Sequence, residues 1–513
     1  MNILYSAMGS SLQMFLGMHR VLMEKYGLPR PSFFVSNANN YFAALNEYPE
    51  LDGFASLFEW EIVNRGKVRT PDRAALDGYE KRFGPLWNAI LADRRLVFGR
   101  LTKVKQDYTT PLSHEQLMGI IQELLEQLLA FIDKVRPNVM VSFSPVTAAD
   151  YLFEKVAENL NIPFFSLRST KIENYISFVD SAIDIPKTLS QRFSSDTPFA
   201  EELRIRAEAT IAKSRSQGMA YEGVMPYGAE YFLKRLKKAP RTLYGALKTA
   251  MRYRCTPILR TDNHLPPPVR SAVYQAVVQP LRCALVLKTV NHISQERLEA
   301  IGPYAFYPMH FEPEMAVQVL GRGYQNQIEV IRNLALSVPI GMKVVVKEHP
   351  RSLGVRPTAY YRKLLAIPNV VLVHPFTPAV AIIRHASLIA IISGAIGFES
   401  LVAEKPVIVF GTTPLTLLPN SMVRQANNPA KLADDIRLAL EEYTYDYEAL
   451  VRYICANLEG SIPMNIYSVV LQKNLRVANL PPAELEKAKR EQLEALAMHL
   501  LVSVCTQKGP TLR

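Results

Sequence analysis

Cysteine is scarce in this chain of 513 residues, which contains only four. Cys255, Cys283, Cys455 and Cys505 are widely separated, and none belongs to a Cys-x-x-Cys pair or to a Cys/His spacing typical of a zinc site. This pattern argues against a disulfide framework and against a structural metal site. We therefore expect a protein of a reducing compartment, the cytoplasm.

Long hydrophobic runs are also missing, although 49% of the residues are hydrophobic. A helix needs roughly 20 consecutive apolar residues to cross a bilayer. The most hydrophobic stretch, residues 370–398, is interrupted by His374, Pro375, Arg384 and His385, and the first residues carry no basic leader. The sequence thus predicts a packed protein with no secretory leader and no membrane-spanning segment.

Acidic residues are absent from residues 231–261, in a chain whose formal net charge is +12. Leucines and a methionine alternate there with nine basic residues, namely Lys234, Arg235, Lys237, Lys238, Arg241, Lys248, Arg252, Arg254 and Arg260. This pattern is typical of a basic amphipathic helix on an anionic membrane surface, and equally of a solvated basic surface over a core stripe. No recognised nucleic-acid-binding motif accompanies the charge, so we expect no nucleic-acid partner.

Short apolar strands alternate with amphipathic helices in residues 1–180 and again in residues 303–470. In the first part, Ser113 and Gln116 predict a capping box that begins a long helix. Such alternation predicts parallel sheets covered by helices, whereas residues 181–302 predict a basic helical bridge or insertion and residues 471–513 a helical C-terminal segment. The expected fold class is α/β and GT-B-like, with two Rossmann-like doubly wound domains facing a cleft.

The first candidate binding motif follows the apolar run at residues 344–346. Lys347, His349, Pro350 and Arg351 come directly after this predicted strand, where ligands of open α/β sheets bind. A histidine can donate a hydrogen bond to a phosphate oxygen, and the two cations add positive potential beside it. The motif therefore predicts a site for an anion, above all a nucleotide phosphate.

The second motif lies between a predicted strand and a helix. Gly394 and Gly397 would let the backbone approach a ligand, the Ser393 hydroxyl can bond a phosphate, and the first helical turn offers N–H groups. Glu399, in that first turn, could accept from both hydroxyls of a ribose, or could simply interact favourably with the helix dipole.

Candidate catalytic groups are His310 and Glu312 at the end of the first strand of the second domain, and Asp150 in the first domain. With Glu314, the first two form a titratable trio that could orient a donor or transfer a proton, but a solvated loop explains them equally well. A second His-Pro pair at His374 lacks the flanking lysine, which favours a structural role.

Acceptor-side candidates come from the N-terminal domain. Ser10, Ser11 and Arg168 lie near predicted strand ends, where an acceptor would face the second domain. Each of these residues alone is a weak signal. The sequence offers no Asp-x-Asp pair that would hold a divalent ion against a pyrophosphate, so we expect no metal and no cofactor besides the substrate.

At this point the motifs resemble those of the bacterial capsule and surface-polysaccharide biosynthesis proteins, a group that includes Kdo transferases. The resemblance is carried by residues 307–314 (Tyr-Pro-Met-His-Phe-Glu-Pro-Glu), 321–327 (Gly-Arg-Gly-Tyr-Gln-Asn-Gln), 347–350 and 393–411. It implies a GT-B fold and a cytoplasmic glycosyltransferase that uses a nucleotide sugar such as CMP-Kdo. It also implies that His349 and Pro350 contact the donor phosphate, and that Ser393 and Gly394 form the helix start beside it.

Our leading hypothesis is an enzyme that moves a sugar from a nucleotide donor to a capsule or surface polysaccharide or to its lipid anchor. Partners would be the nucleotide sugar, a glycan or glycolipid acceptor, and an anionic membrane face contacted through residues 231–261. Alternatives are a polyol-phosphate transferase or a nucleotide-sugar epimerase of similar fold, and a non-catalytic partner in capsule assembly. The resemblance matches no catalytic carboxylate in the first domain.

Overall fold

The computed structural model describes residues 1–101, 110–218, 228–472 and 480–508. Two β-sheets form its framework. Their strands are β1 (Ile3–Ala7), β2 (Ser32–Val35), β3 (Ala55–Phe58), β4 (Val139–Ser142), β5 (Phe164–Ser169), β6 (Tyr175–Val179), β7 (Tyr304–Pro308), β8 (Lys343–Lys347), β9 (Val370–Val373), β10 (Leu388–Ile391), β11 (Val407–Val409), β12 (Val423–Gln425) and β13 (Ile462–Pro463).

Helices cover both sheets and fill the region between them. They are α1 (Ser11–Tyr26), α2 (Ala38–Glu47), α3 (Glu59–Gly66), α4 (Arg73–Phe83), α5 (Trp87–Ala92), α6 (Arg94–Phe98), α7 (His114–Val135), α8 (Ala148–Asn159), α9 (Lys187–Ser194), α10 (Glu201–Gln217), α11 (Ala229–Lys237), α12 (Ala239–Cys255), α13 (Pro257–Thr261), α14 (Pro268–Val273), α15 (Gln279–Thr289), α16 (Met315–Gln318), α17 (Gln327–Ser337), α18 (Thr358–Leu365), α19 (Ala379–His385), α20 (Ala395–Val402), α21 (Leu432–Glu441), α22 (Tyr447–Glu459) and α23 (Pro482–Lys508).

Both sheets have the strand order of a doubly wound fold. The second runs β9-β8-β7-β10-β11-β12 with every neighbouring pair parallel. The first runs β3-β2-β1-β4-β5-β6-β13 and is parallel up to β5, after which β6 and β13 pair antiparallel. The order reverses at β1 and at β7, which marks where each Rossmann-like sheet opens a ligand crevice. The predicted α/β, GT-B-like fold is confirmed.

Each sheet separates two hydrophobic cores. In β7, Tyr304 and Phe306 belong to one core, and Ala305 and Tyr307 to the core on the opposite face. Strands buried on both faces need apolar side chains at successive positions, which explains why they are continuous hydrophobic runs in the sequence. At the start of α7, the predicted capping box of Ser113 and Gln116 is present.

The end of the chain returns to the first sheet. β13 pairs with β6, and α23 packs against α1, with Leu493, Leu496 and Leu500 in the core that contains Tyr5 and Phe15. The predicted boundaries at residues 180, 302 and 470 stay predictions. Within the described residues, no helix is both long and apolar enough to cross a membrane, and all four cysteines are free.

The middle of the chain is helical and contacts both sheet domains. Arg252 of α12 donates to Asn39 in the first domain at 2.7 Å. Phe232 of α11 and Cys283 of α15 lie in a core of the second domain. α14 and α15 are joined without a break by a single π-helical turn at residues 274–278.

Helices α3 and α7 touch through glycine. A Cβ atom added to Gly119 would lie 2.4 Å from the carbonyl oxygen of Gly66 and 3.1 Å from that of Arg69, all in rigid backbone. Gly78 in α4 is also helical, but a Cβ atom added there meets nothing within 4 Å. Of Gly119 and Gly78, only Gly119 is therefore required by packing.

We expect Gly119→Ala to lower the free energy of unfolding by about 1–3 kcal/mol, because the methyl group forces the two helices apart. Gly78→Ala is the matched control and should raise it by roughly 0.5–1 kcal/mol, because alanine favours the helix. Urea denaturation of both variants measures the two changes. Equal effects would contradict the proposed close contact.

Candidate functional site

The carboxyl ends of β10, β7 and β8 bring the sequence motifs into one row. Lys347 lies opposite Pro308 of β7, and Ile389 of β10 lies opposite Phe306. Two residues beyond each strand end, this register places Ser393, His310 and His349 side by side. These side chains lie at the edge where ligands of open α/β sheets bind.

His310 joins two of these loops. Its Nε2 contacts the carbonyl oxygen of Ser393 and lies 3.3 Å from the Ser393 backbone nitrogen. Burial lowers the pKa of His310 to about 4, so the ring is neutral at neutral pH. Its Nδ1 atom has no hydrogen-bond partner in the described part of the chain. His310 thus holds the loop after β10 against the loop after β7.

A buried guanidinium joins the other pair of loops. Arg356 is fully buried, donates to Glu348 at 2.5 Å and to the carbonyl oxygen of His310 at 2.8 Å, and lies 3.4 Å from Glu312. Glu348 also accepts from Tyr361 at 2.7 Å. The loop after β7 and the loop after β8 are therefore held by one buried charge network.

Glu312, a predicted catalytic candidate, belongs to this network. It lies against Arg356 and accepts a hydrogen bond from Gln327, and burial raises its pKa. Gln327 in turn accepts from the backbone N–H of His310 at 2.8 Å. Its carboxylate is already engaged by Arg356 and Gln327, so its surroundings suit loop positioning better than contact with a substrate.

His349 begins a short helical turn, and its Nδ1 accepts from the Arg351 backbone N–H at 3.1 Å. Burial, with the charges of Lys347 and Arg356, lowers the pKa of His349 to about 3. A neutral ring that accepts through Nδ1 carries its proton on Nε2. The predicted hydrogen bond from His349 to a ligand oxygen requires this proton; the bond itself stays a prediction. Arg351 lies 4.3 Å above the ring of Phe311.

The His349 loop is supported from behind by the helical middle of the chain. Gln279 in α15 donates to the carbonyl oxygens of Arg351 and Leu353 at 3.4 and 3.1 Å, and accepts from Arg235 at 3.0 Å. Gly354 packs so closely that an added Cβ atom would lie 2.3 Å from the Gln279 carbonyl oxygen. No local pattern in the sequence indicates this support, because Gln279 lies 72 positions before Arg351.

The loop after β10 differs from the prediction in detail. The Ser393 hydroxyl donates to the Ala316 carbonyl at 3.2 Å and is buried, so the backbone N–H groups at the start of α20 are what remains for a ligand. Gly394 has φ +114°, which only glycine adopts without strain. An added Cβ atom on Gly397 would meet Ile391 at 2.5 Å and Leu415 at 2.6 Å. Core packing rather than ligand contact therefore accounts for Gly397.

Glu399 lies close to Lys347 at this edge. Burial raises the pKa of Glu399 to about 7, and the charge of Lys347 opposes the rise. Burial likewise lowers the pKa of Lys347 to about 8, opposed by Glu348 and Glu399. Both groups titrate near neutral pH, so a ligand charge would readily shift their protonation.

The second His-Pro pair lies apart from these groups in its contacts. The ring of His374 packs edge-on against the ring of His292, with 6.0 Å between the ring centres.

The first domain contributes cations to the same cleft. Arg168 and Lys171 line one cavity together with Ser393 and Gly394 of the second domain. Arg168 donates to the Ala182 carbonyl at 2.9 Å. Lys171 follows β5 in a left-handed conformation, φ +60°, and burial lowers its pKa to about 8, opposed by Glu314.

Two cations of the cleft were not predicted from the sequence. Lys171 is one, although it stands only two residues beyond β5 and could have been proposed by the strand-end rule. Arg94 at the start of α6 is the other. Burial lowers the pKa of Arg94 to about 10, and the charges of Arg95 and, across the cleft, Arg351 contribute. No strand end marks this residue, so the sequence held no comparable signal.

The remaining predicted residues lie in the first domain. Ser11 is buried, and its hydroxyl bonds the backbone of Met8 at 2.9 Å. Ser10 precedes α1 and makes no side-chain cap. Asp150 accepts from Ser6 at 2.5 Å, and burial raises its pKa to about 6. Among the described residues, no group of three metal-ligating side chains occurs.

Residues 215–416 match the family model described as "Capsule polysaccharide biosynthesis protein". The resemblance inferred from the motifs is confirmed over this segment, which contains His310, His349 and Ser393. Among curated proteins, none matches the sequence.

Solved structures with a similar fold include two transferases and an epimerase. The β-Kdo 2,7-transferase KpsC of Thermosulfurimonas dismutans has 11% identity and a TM-score of 0.34, over 64% of this chain and 80% of that one. The β-Kdo 2,4-transferase KpsC of the same organism has 13% identity and 0.37, over 62% and 79%. The UDP-GlcNAc 2-epimerase of Methanocaldococcus jannaschii has 12% identity and 0.26, over 88% and 98%.

We expect Arg356→Met to lower the free energy of unfolding by about 3–5 kcal/mol at neutral pH, because two carboxylates lose their buried counter-charge. Burial already raises the pKa of Glu312. Without the guanidinium the folded state binds more protons than the unfolded chain, so stability falls as pH rises. Denaturant unfolding at pH 7 and at pH 5 measures this.

The double variant Arg356→Met/Glu348→Gln serves as the control, because it removes one of the two stranded charges and should recover part of the loss at pH 7. A loss of stability that is the same at both pH values, with no recovery in the double variant, would contradict the charge network.

Proposed function

We propose that this protein is a glycosyltransferase that binds a nucleotide sugar between its two domains. The observation that carries the proposal is a set of cleft cations contributed by both domains. Arg168, Lys171, Lys347 and Arg351 form no ion pair among the described residues, although other cations nearby do. Like charges brought together in a half-buried cleft repel one another, so an anionic ligand would stabilise them.

Two features favour a phosphate as that anion. The start of α20 presents unpaired N–H groups beside Gly394, and the positive end of a helix dipole favours negative charge. The His349 Nε2–H lies in the same row and donates without adding a charge. Lys347 and Lys171 would neutralise the charge that develops on a departing nucleotide.

The donor we favour carries its own carboxylate in addition to phosphate, as CMP-Kdo does. The cations fall into two groups, with Lys347 and Arg351 on the second domain and Arg168 and Lys171 on the first. One group can serve the phosphate and the other a sugar carboxylate. The acceptor would be a capsule or surface glycan or its lipid anchor, and the reaction would occur on the cytoplasmic side of the membrane.

Among the candidate catalytic residues, we favour Asp150 over the other two. Glu312 already bonds Gln327 and lies against Arg356, and His310 holds Ser393. Asp150 is also buried and accepts from Ser6 through Oδ1, but its pKa is raised to about 6, and its Oδ2 atom makes no hydrogen bond among the described residues. A carboxylate poised near neutral pH suits a general base.

The polyol-phosphate transferase, the epimerase and the non-catalytic partner stay open as alternatives. A transferase joins the sugar to an acceptor, an epimerase returns an altered nucleotide sugar, and a partner protein binds without turnover. Analysis of the products formed from the nucleotide sugar that binds best separates them.

We expect a nucleotide sugar to raise the melting temperature of the protein, because it binds only the folded state. A thermal-shift screen of CMP, UDP, GDP and their sugars measures this.

His349→Ala should weaken binding of that nucleotide sugar by roughly 10–100-fold, which is the effect of losing a hydrogen bond to a charged group. The control His385→Ala removes an exposed histidine of α19. Equal affinity in the two variants would remove His349 from the site.

We also propose that α12 lies on an anionic membrane surface. Tyr244, Leu247 and Met251 lie on one stripe of the helix and are 61%, 53% and 62% exposed. Arg241 and Lys248 flank this stripe. An exposed apolar stripe bordered by cations is what an interfacial helix needs. This placement favours the membrane interpretation of the segment over the solvated one, because a contiguous exposed apolar patch marks an interaction site, whereas a solvated surface exposes apolar residues singly.

We expect Leu247→Ser/Met251→Ser to reduce binding to vesicles containing phosphatidylglycerol by about tenfold or more, because two apolar side chains no longer leave water. The control Leu336→Ser/Ile340→Ser removes two apolar side chains of the second domain that are more exposed than Leu247 and Met251. Sedimentation with the vesicles measures the bound fraction. If both double variants sediment like the unaltered protein, α12 does not contact the membrane.

A further inference from the structure

A second cavity lies between the first domain and the residues that follow α13, and its described lining includes none of the motif residues of the cleft. Its volume is about 430 Å³, within the range typical of small-molecule sites. Four cations line it, namely Lys67, Arg95, Arg100 and Arg270, and the described lining includes no acidic side chain. We name it the basic pocket.

The cations of the basic pocket are only partly compensated. Arg95 lies 3.4 Å from Asp93, whereas Lys67, Arg100 and Arg270 form no ion pair among the described residues. Arg100 donates to the carbonyl oxygens of Leu265 and Arg260 at 2.7 and 3.1 Å, which fixes its position. Burial and the charge of Arg100 lower the pKa of Lys67, opposed by Asp262. An anion in the pocket would relieve this repulsion.

The rest of the pocket wall is apolar. Leu96, Phe98 and Leu112 lie on one side, and Pro267 comes from the opposite segment. A free phosphate would contact the cations but not this apolar wall. A molecule with an anionic head and a hydrocarbon chain uses both, because the chain leaves water and the head meets the charges.

The location of the pocket fits such a molecule. Asn263, Pro267 and Arg270 of its wall follow α12 and α13 directly, and Arg100 bonds the last turn of α13. Asn263 is 5% exposed, and neither of its amide atoms has a hydrogen-bond partner in the described residues. The wall is therefore continuous with the helix that we place on the membrane surface.

We propose that the basic pocket binds one anionic membrane phospholipid, with the phosphate on Lys67, Arg100 and Arg270 and the start of an acyl chain on the apolar wall. This inference extends the proposed membrane contact of α12 and does not depend on sugar transfer. It gives the protein a stoichiometric lipid site in addition to a surface that partitions onto vesicles.

The test is calorimetric titration of the full chain with dihexanoyl phosphatidylglycerol, kept below the concentration at which it forms micelles. We expect one lipid to bind per chain. Dihexanoyl phosphatidylcholine, which carries no net charge, and glycerol 3-phosphate, which has no acyl chain, should each bind at least about tenfold more weakly.

The variant Lys67→Ala/Arg270→Ala removes two pocket cations that bond no backbone carbonyl of the described residues, and it should weaken phosphatidylglycerol binding by about tenfold or more. The control Arg73→Ala/Lys134→Ala removes two exposed cations of the same domain and should bind as the unaltered protein does. Equal affinity in the two double variants would overturn the pocket as the site, and glycerol 3-phosphate binding as tightly as the lipid would overturn its lipid character.

Two further measurements separate this inference from the other proposals. Stabilisation of Lys67→Ala/Arg270→Ala by a nucleotide sugar should be unchanged, because the cleft is intact. Leu247→Ser/Met251→Ser should retain the titration with soluble lipid while losing vesicle binding. Loss of the soluble-lipid titration in that variant would show that α12, and not the pocket, binds the lipid, and would overturn the inference.

Discussion

The buried charge of Arg356 is the constraint on which the geometry of the second domain depends. An ion taken out of water needs counter-charges and hydrogen bonds close by, and here they come from two loops: Glu312 and the His310 carbonyl from one, Glu348 from the other. Neither loop can shift without stranding a charge. His349 and His310 thereby occupy fixed positions at the strand ends before any ligand arrives, which reduces the ordering that binding would require.

The cleft has the opposite electrostatic character. The Arg356 network is internally balanced, whereas four cleft cations form no ion pair within the part of the chain that the structure describes: Arg168 and Lys171 from the first domain, and Lys347 and Arg351 from the second. The two groups of charges therefore have different roles. The ion-paired charges hold the loops, and the cleft cations without an ion pair remain for a ligand. This difference also explains why Glu312, an acid beside a cation at a strand end, is a poor catalytic candidate, because its charge is already committed to the scaffold.

The sequence predicted what depends on local pattern. Strands β8 and β10 were recognised from continuous apolar runs, and the row of His310, His349 and Ser393 followed from the rule that polar residues after parallel strands meet at one edge. The roles of residues that depend on packing could not be predicted from the sequence. Gly397 was expected to admit a ligand, but its position facing Ile391 and Leu415 is a property of how α20 lies on the sheet. Gln279 and Arg94 are likewise visible only once distant segments are folded together.

The helical middle of the chain is better understood as part of the site than as an insertion. Its Gln279 bonds the loop that carries Arg351, and the same side chain accepts from Arg235 in α11. α12 follows α11 directly and packs against α14, within the same run of helices. If α12 lies on a membrane surface, as proposed, one continuous set of contacts joins that surface to the loop that carries His349 and Arg351. The position of this loop relative to the surface would then be set by packed helices.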